Sequence, residues 1–298
     1  MVGHRNIRLS DRLYTIVLYV ICIVVLIVII YPLYFVIIAS ISTPAYVTLG
    51  KVWLRPKGIT FLGYREIFKD QRIWTGYRNT LIYSVSGTLL TFVVVLPAAY
   101  AMSRKKFMVR NPLMIFFVIT MFFNGGMIPT YLVVLRLGLV DTVGAILLPV
   151  AFNAFYMIIA RTFFASTIPL ELYDTAEIDG CSQFQVFIKI VLPLSNAIVA
   201  VIGLYSLVGH WNSYFPALMY IRRKSLKPLQ IILRDILIRN QMSDRLSASY
   251  STIDEELQQI ADTIKYGVII VSTLPVMVFY PFLQKYFAKG VMIGALKG

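Results

Sequence analysis

A chain of 298 residues that is 58% hydrophobic, only 14% charged and at mean hydropathy +0.76 is too apolar for a soluble domain of that length. The net charge of +14 does not point to nucleic acid, because the cations sit in short clusters between long uncharged runs. Two cysteines, Cys22 and Cys181, fall far apart in that pattern, so neither a disulfide framework nor metal-ligand spacing is present.

Six windows of 18 or more residues lack Asp, Glu, Lys and Arg: Leu13–Gly50, Asn79–Ser103, Asn111–Leu135, Thr142–Ala160, Ile190–Ile221 and Tyr266–Gln284. A helix needs about 20 mostly apolar residues to cross ~30 Å of hydrocarbon, and a charge at the bilayer centre costs about 2.5–3.5 kcal/mol on insertion scales. The windows therefore predict six spans, at about 14–40, 79–103, 112–135, 142–164, 193–221 and 265–284, the fourth and sixth lengthened by the snorkelling of Arg161 and Lys265. The first is longer than a signal-peptide core and is followed by no small-x-small cleavage site, so it is expected to remain as an anchor after a short N-terminal segment, 1–13.

Loop 51–78 carries Lys51, Arg55, Lys57, Arg65, Lys69, Arg72 and Arg78 against Glu66 and Asp70, a net of +5. Two readings stay open for it: attraction to anionic lipid headgroups, or a basic vestibule for an acidic substrate or partner. Loop 104–110 packs Arg104, Lys105, Lys106 and Arg110 into seven residues. With six spans both termini lie on one side, but that side holds 12 of the 28 cations and the other side 16, so raw counting does not orient the chain.

Prolines at 32, 97, 129, 149, 216, 275 and 281 sit in or near the windows and are expected to bend helices. The run Asn124-Gly125-Gly126 with Pro129 predicts locally unwound backbone, tolerated at membrane depth where protein or water covers it. Span five ends with His210-Trp211-Asn212-Ser213-Tyr214. Trp211, Asn212 and Tyr214 suit an interfacial belt and equally the rim of a pathway, where aromatic faces stack on sugar rings and amides bond hydroxyls. Asn124, Asn153 and Tyr156 are weaker candidates for the same pathway.

No phosphate-binding GxxxxGK[ST] loop, paired intramembrane acids or catalytic constellation is found, and no catalytic or metal-binding residue is assigned. Work on a substrate must then enter from outside the chain. The place for it is a polar island between spans four and five, 165–192. Ser166 or Thr167 is expected to cap a helix opening at Pro169, with Glu171, Asp174 and Glu177 toward its start. Gly180 stops it, Ser182 caps a second helix with Phe184, Val186, Phe187 and Ile190 as apolar positions, and Pro193 starts the next span.

From Asp174 the spacing reads D-T-A-x3-G-x9-I-x-L-P. This resembles the EAA loop of bacterial ABC importer permeases: Ala176, Gly180, Ile190, Leu192 and Pro193 match, while Asp174 stands for the Glu and Thr175 for the first Ala. The resemblance extends to six spans, the Trp211-Asn212 pair and the C-terminal Gly294-Ala295-Leu296-Lys297-Gly298, and is closest to the carbohydrate-importing, maltose-permease and polysaccharide-permease subgroup, which includes alginate importers.

The resemblance implies an all-α integral membrane protein of the type I importer permease fold, six transmembrane helices with a cytoplasmic coupling helix. It implies that Glu171, Asp174, Ala176, Glu177, Gly180, Ile190, Leu192 and Pro193 form the coupling segment, that Gly294, Lys297 and Gly298 in a tail over 285–298 reach a dimer of cytoplasmic ATPase subunits, and that an outer loop over 222–264 engages an extracytoplasmic substrate-binding protein. A second permease subunit completes the heterodimer. ATP and magnesium belong to the ATPase, with no cofactor in this chain and no nucleic acid among its partners. The setting is the bacterial cytoplasmic (inner) membrane, multi-pass, both termini cytoplasmic, and the cargo an oligosaccharide, with an acidic, alginate-like one favoured by the basic outer loop. A self-contained channel or secondary transporter, a membrane-embedded enzyme and a neutral-sugar importer are the competing readings.

Overall fold

The computed structural model describes residues 9–247 and 264–278. Along the chain the helices are α1 (Leu9–Ser40), α2 (Pro44–Thr48), α3 (Leu62–Lys69), α4 (Gln71–Ser103), α5 (Arg110–Phe122), α6 (Met127–Arg136), α7 (Val143–Leu147), α8 (Ala154–Thr167), α9 (Leu170–Ile178), α10 (Gln183–Val186), α11 (Leu192–Leu194), α12 (Asn196–Trp211), α13 (Phe215–Tyr220) and α14 (Leu229–Ser247), with a further helix, α15, over Ile264–Val278. Among the described residues, α1 and α4 are each long and apolar enough to cross a membrane; three bent pairs, α5–α6, α7–α8 and the run Gln183–Leu194 with α12, bring the number to as many as five. The first five windows each fall on one of these helices or pairs, and α15 covers the described part of the sixth.

The chain divides into two compact units. The first holds α1, α2, α3 and the stretch Ile236–Thr273 as far as it is described. Tyr64 donates its hydroxyl to Ser40 Oγ at 2.8 Å, and the Phe35 and Tyr266 rings meet edge-on at 6.0 Å. Elsewhere α1 turns apolar side chains outward almost all round, as a helix does when lipid is its solvent.

In the second unit α4 is the central post, with α8 and α12 packed along it. Small and hydroxylated residues on α4 let α12 approach closely: Gly87 faces the His210 ring, where a Cβ would collide, and Ser206 Oγ donates to Thr91 Oγ1 at 3.1 Å. At one end of α4 the residues Val95, Ala99, Met157, Phe164, Val191 and Ile202 belong to one large buried apolar cluster. At the other end Asn79 Nδ2 donates to the Ser225 and Lys227 carbonyls (2.7 and 3.1 Å), Tyr83 Oη to Leu226 O (2.9 Å), and Thr80 Oγ1 accepts from Leu229 N (2.8 Å).

That second end adds a packed, helical part to the segment expected as an outer loop, 222–264. Leu229, Ile231, Ile232 and Leu233 are buried, and Gly76 leaves room for the Leu229 backbone and the Ile232 side chain. The apolar run Ile231-Ile232-Leu233 is far too short to register as a span, yet long enough to seal the end of α4.

The breaks are also not where prolines alone would put them. Pro32 and Pro97 lie inside uninterrupted helices. The α5–α6 pair bends by 112° across Phe123–Gly126, where the predicted unwinding occurs, with Gly126 at φ 88°. The Gln183–Leu194 run meets α12 at 84°. Pro193 does not start the span: it sits within α11, the turn comes at Ser195, and α12 begins at Asn196. A π-helical stretch, Phe187–Val191, precedes the proline. Such a widened turn gives the ring space that a regular α-helix would deny it.

Candidate functional site: a polar helix pair and a cavity on α12

The polar island folds by local chemistry. In α9, Ala176 and Tyr173 are buried on the inner face, while Leu170, Asp174 and Ile178, spaced by four, form an outward stripe. Gly180 at φ 71° closes the helix: its N–H reaches Glu177 O at 3.1 Å and Cys181 N–H reaches Ala176 O at 2.9 Å, the two bonds of a Schellman motif. Ser182 then opens α10 with a capping box, its Oγ accepting from Gln185 N (3.3 Å) and its N–H donating to Gln185 Oε1 (2.8 Å). The expected caps at the front are corrected: Ser166 and Thr167 complete the last turn of α8, and Ser166 Oγ bonds Phe163 O, because Pro169 itself takes the N-cap position with no side chain satisfying the first amides.

The island is fixed to the end of α4. Tyr100 Oη donates to Gln183 Oε1 at 2.9 Å, its ring lies 5.3 Å from that of Phe187, and the Arg104 guanidinium sits 3.6 Å over the Tyr173 ring. Burial pushes the Tyr173 hydroxyl up, with Arg104 opposing. Lys106 reaches Glu177 at 2.6 Å, and this hydrogen-bonded pairing holds the Glu177 carboxyl below its usual range. Glu177, exposed like Glu171 and Asp174, is occupied by this chain's own lysine.

The motif residues thus separate by task. Ala176, Gly180, Ile190 and Leu192 build the turn and its packing; Pro193 is exposed in α11. Two exposed apolar residues escaped the sequence reading as site members: Ile178 at 86% and Phe184 at 69% exposure, on either side of the Gly180 turn. Phe184 is one of the apolar positions expected in the second helix, and it faces outward. The signal that could have found Ile178 is its four-residue spacing from Asp174.

The pathway candidates also separate. Asn153, Tyr156, Asn212 and Tyr214 line one cavity of about 380 Å3, with Ser206, His210 and Ser213. Asn153 caps α8, its Oδ1 accepting from Tyr156 N at 3.2 Å, and the Tyr156 and Tyr205 rings stack at 6.2 Å. The bend between α7 and α8, 48°, opens the wall at Asn153. Trp211 does not line this cavity; it is 1% exposed, with its ring 6.2 Å from that of Tyr77. Asn124 is elsewhere too, its Oδ1 accepting from Gly126 N at 2.9 Å in the α5–α6 break. Gly294, Lys297 and Gly298 lie outside the described residues.

Aromatic faces, two amides and hydroxyls around one cavity suit a polyhydroxylated solute, and a rigid exposed helix pair at the far end of α12 suits a protein partner. Comparison with known proteins agrees with the class. Residues 73–293 match the family described as binding-protein-dependent transport system inner membrane component. The chain is 38% identical over 290 residues, 97% of its length and all of the relative's, to the polygalacturonan/rhamnogalacturonan transport system permease protein YtcP of Bacillus subtilis (strain 168). It is 38% identical over 267 residues to protein LplC of the same organism, covering 90% of this chain and 89% of that one. A crystal structure of a bacterial ABC transporter involved in the import of the acidic polysaccharide alginate contains a chain that superposes with a TM-score of 0.83 at 31% identity, over 96% of this chain and 100% of that one. With the geometry of the island and matches over nearly its whole length, the chain belongs to the binding-protein-dependent inner membrane components, the permeases of ABC importers.

Proposed function

We propose that this permease carries acidic oligosaccharides, of the polyuronide class, from an external binding protein to the cytoplasm. The observation that carries the substrate class is the agreement of two likenesses. A relative at 38% identity is named for polygalacturonan and rhamnogalacturonan, and a solved structure at TM-score 0.83 belongs to an alginate importer. The cavity of Asn153, Tyr156, Asn212 and Tyr214 is the part of this chain assigned to the path, the rings packing against sugar faces and the amides bonding hydroxyls.

The chain works as a translocation subunit beside a second permease, with both termini and the island in the cytoplasm. A separate ATPase dimer holds ATP and magnesium and supplies the energy. Glu171, Asp174, Ile178 and Phe184 form the docking face, with Asp174 as the ion-pairing group and the two apolar side chains as its greasy flanks. Ala176, Gly180, Ile190, Leu192 and Pro193 keep that face in shape, and the tail residues Gly294, Lys297 and Gly298 are assigned to the same partner.

The test is uptake by the full transporter in proteoliposomes. Oligogalacturonides are expected to enter and to stimulate ATP hydrolysis, while neutral maltooligosaccharides do neither; uptake of neutral oligomers alone overturns the substrate class. Asp174→Asn is expected to lower uptake by about ten-fold or more, as truncating one partner of an interfacial charge pair does. Wild-type uptake by that variant removes Asp174 from the coupling role.

A further inference from the structure

The segment that follows α1 has a shape that transport does not explain. Between Asp11 and Glu66 the sequence contains no acid, so Lys51, Arg55 and Lys57 stand in a wholly cationic stretch. The chain leaves α1 at Ser40, and 41–60 folds into a compact loop locked by its own bonds. Thr43 N–H reaches Lys57 O at 3.0 Å, Thr60 N–H reaches Ile41 O at 2.9 Å, Thr43 Oγ1 donates to Gly58 O at 2.6 Å, and Ser42 bridges to Ile59. Gly58 is required twice over, for its φ of 61° and because a Cβ there would lie 2.5 Å from Thr43 Oγ1. The loop is thus a fixed body, and yet Leu49, Trp53 (69% exposed) and Leu54 (67% exposed) project from it.

Where these side chains sit follows from one hydrogen bond. Tyr34 Oη donates to Leu54 O at 2.6 Å. Tyr34 lies six residues before the end of α1, about 9 Å back along the axis at ~1.5 Å per residue. Helical side chains lean toward the N-terminus, so the tyrosine hydroxyl lies still further back. About 30 Å of hydrocarbon takes about 20 residues; counted from Leu13, just past Arg12, it ends close to Tyr34. The loop therefore doubles back along the helix it has just left, and with the hydrocarbon counted from Leu13, Leu54 falls at the level where acyl chains meet headgroups. The Trp53 indole N–H already donates to Gly50 O at 2.6 Å, which leaves an apolar ring outside with its polar edge satisfied. Lys51, Arg55 and Lys57 are exposed around it.

We propose that residues 49–57 are an interfacial anchor, in which Leu49, Trp53 and Leu54 enter the outer boundary of the bilayer and Lys51, Arg55 and Lys57 bind the phosphates of anionic lipids. Of the two readings open for the basic loop, this assigns its first half to lipid rather than to substrate or protein.

The test uses the full-length chain in nanodiscs, with phosphatidylcholine alone or mixed with phosphatidylglycerol. The chain has three tryptophans, so the emission lost in Trp53→Phe isolates that residue. That difference signal is expected to be quenched by lipids brominated near the top of the acyl chain and spared by aqueous iodide. Quenching by iodide but not by bromolipid overturns the proposal, and so does shielding from iodide that appears only when the binding protein is added, which makes the surface a protein-docking site. The triple variant Lys51→Gln, Arg55→Gln, Lys57→Gln is expected to retain less phosphatidylglycerol through purification, by about five-fold per cation from ~1 kcal/mol each. The charge-preserving variant Lys51→Arg, Arg55→Lys, Lys57→Arg is expected to retain it as the wild type does. Equal retention by all three proteins also overturns the assignment.

Discussion

Asp141 shows how much one side chain can hold when its backbone is set unusually. It sits at φ 63°, a conformation that aspartate tolerates better than most residues. From there its Oδ1 accepts from the N–H groups of Arg222 and Arg223 at 2.9 and 2.8 Å, its Oδ2 accepts from Arg223 Nε at 2.9 Å, and its own N–H reaches Tyr220 O at 2.8 Å. The backbone N–H of Arg223, then its guanidinium, pull the Asp141 carboxyl below its ordinary value. A depressed carboxylate contributes stability that is complete above the ordinary range and is lost as pH falls through the lowered folded value. Thermal unfolding in detergent is therefore expected to weaken on acidification below about pH 4 more in the wild type than in Asp141→Asn. Asp141→Ala is expected to be less stable than Asn at neutral pH, since it removes the acceptor oxygen that Asn keeps for the Arg222 and Arg223 N–H groups and tolerates the positive φ less well. The sequence gives no hint of this clasp, because Asp141 and Arg223 are 82 positions apart and neither belongs to a periodic pattern.

At the scale of elements, what was legible in the sequence is what depends on near neighbours. The Gly180 stop and the Ser182 cap are chemistry within six residues, and both are found as expected. The front caps failed because Pro169 competes for the same boundary, and the boundary expected at Pro193 falls two residues later, at Ser195, because the proline is accommodated inside α11. The burial of Leu229, Ile231, Ile232 and Leu233 was hidden for a different reason: it depends on distant partners, among them Gly76, Thr80 and Tyr83 on a helix about 150 positions earlier. If the island is held by its caps, Ser182→Ala is expected to cost about 1 kcal/mol. Gly180→Ala is expected to cost ~1–2 kcal/mol through its positive φ alone, because nothing lies near a Cβ built there. Both are measured as shifts in the unfolding midpoint and in protease cleavage near residue 180. Cleavage unchanged in both variants would mean that packing against Tyr100 and Phe187, rather than capping, sets the shape.

Over the whole molecule, the first five windows of the charge map fall on helices or bent pairs long and apolar enough to cross a membrane, because lipid penalises charge wherever it falls. It could not distinguish a straight helix from a bent pair, since both have the same composition. The cavity depends on that difference: Asn153 reaches it through the α7–α8 bend, and Asn212 through the end of α12. Asn153 is also a cap, so replacing it mixes stability with function. Asn212 is exposed and offers a cleaner test. Asn212→Ala is expected to leave the unfolding midpoint unchanged and to raise the half-saturating oligosaccharide concentration in liposome uptake by roughly five-fold, the equivalent of one lost hydrogen bond of ~1 kcal/mol. A fall in the midpoint with no change in uptake would place that residue in the fold rather than on the path.

The 84° turn at Ser195 joins two rigid arms: the capped run Gln183–Leu194 and the 16-residue α12, about 24 Å long. Such a joint is a bell crank. Thrust applied to the short arm emerges from the long one as a sideways sweep at nearly a right angle, largest at the far tip. That tip carries Ser206, Gly209 and His210, which form one side of the cavity. Because Gly87 abuts the His210 ring and Ser206 bonds Thr91, a displacement at the Gly180 corner would reach that cavity only by carrying α4 along with α12.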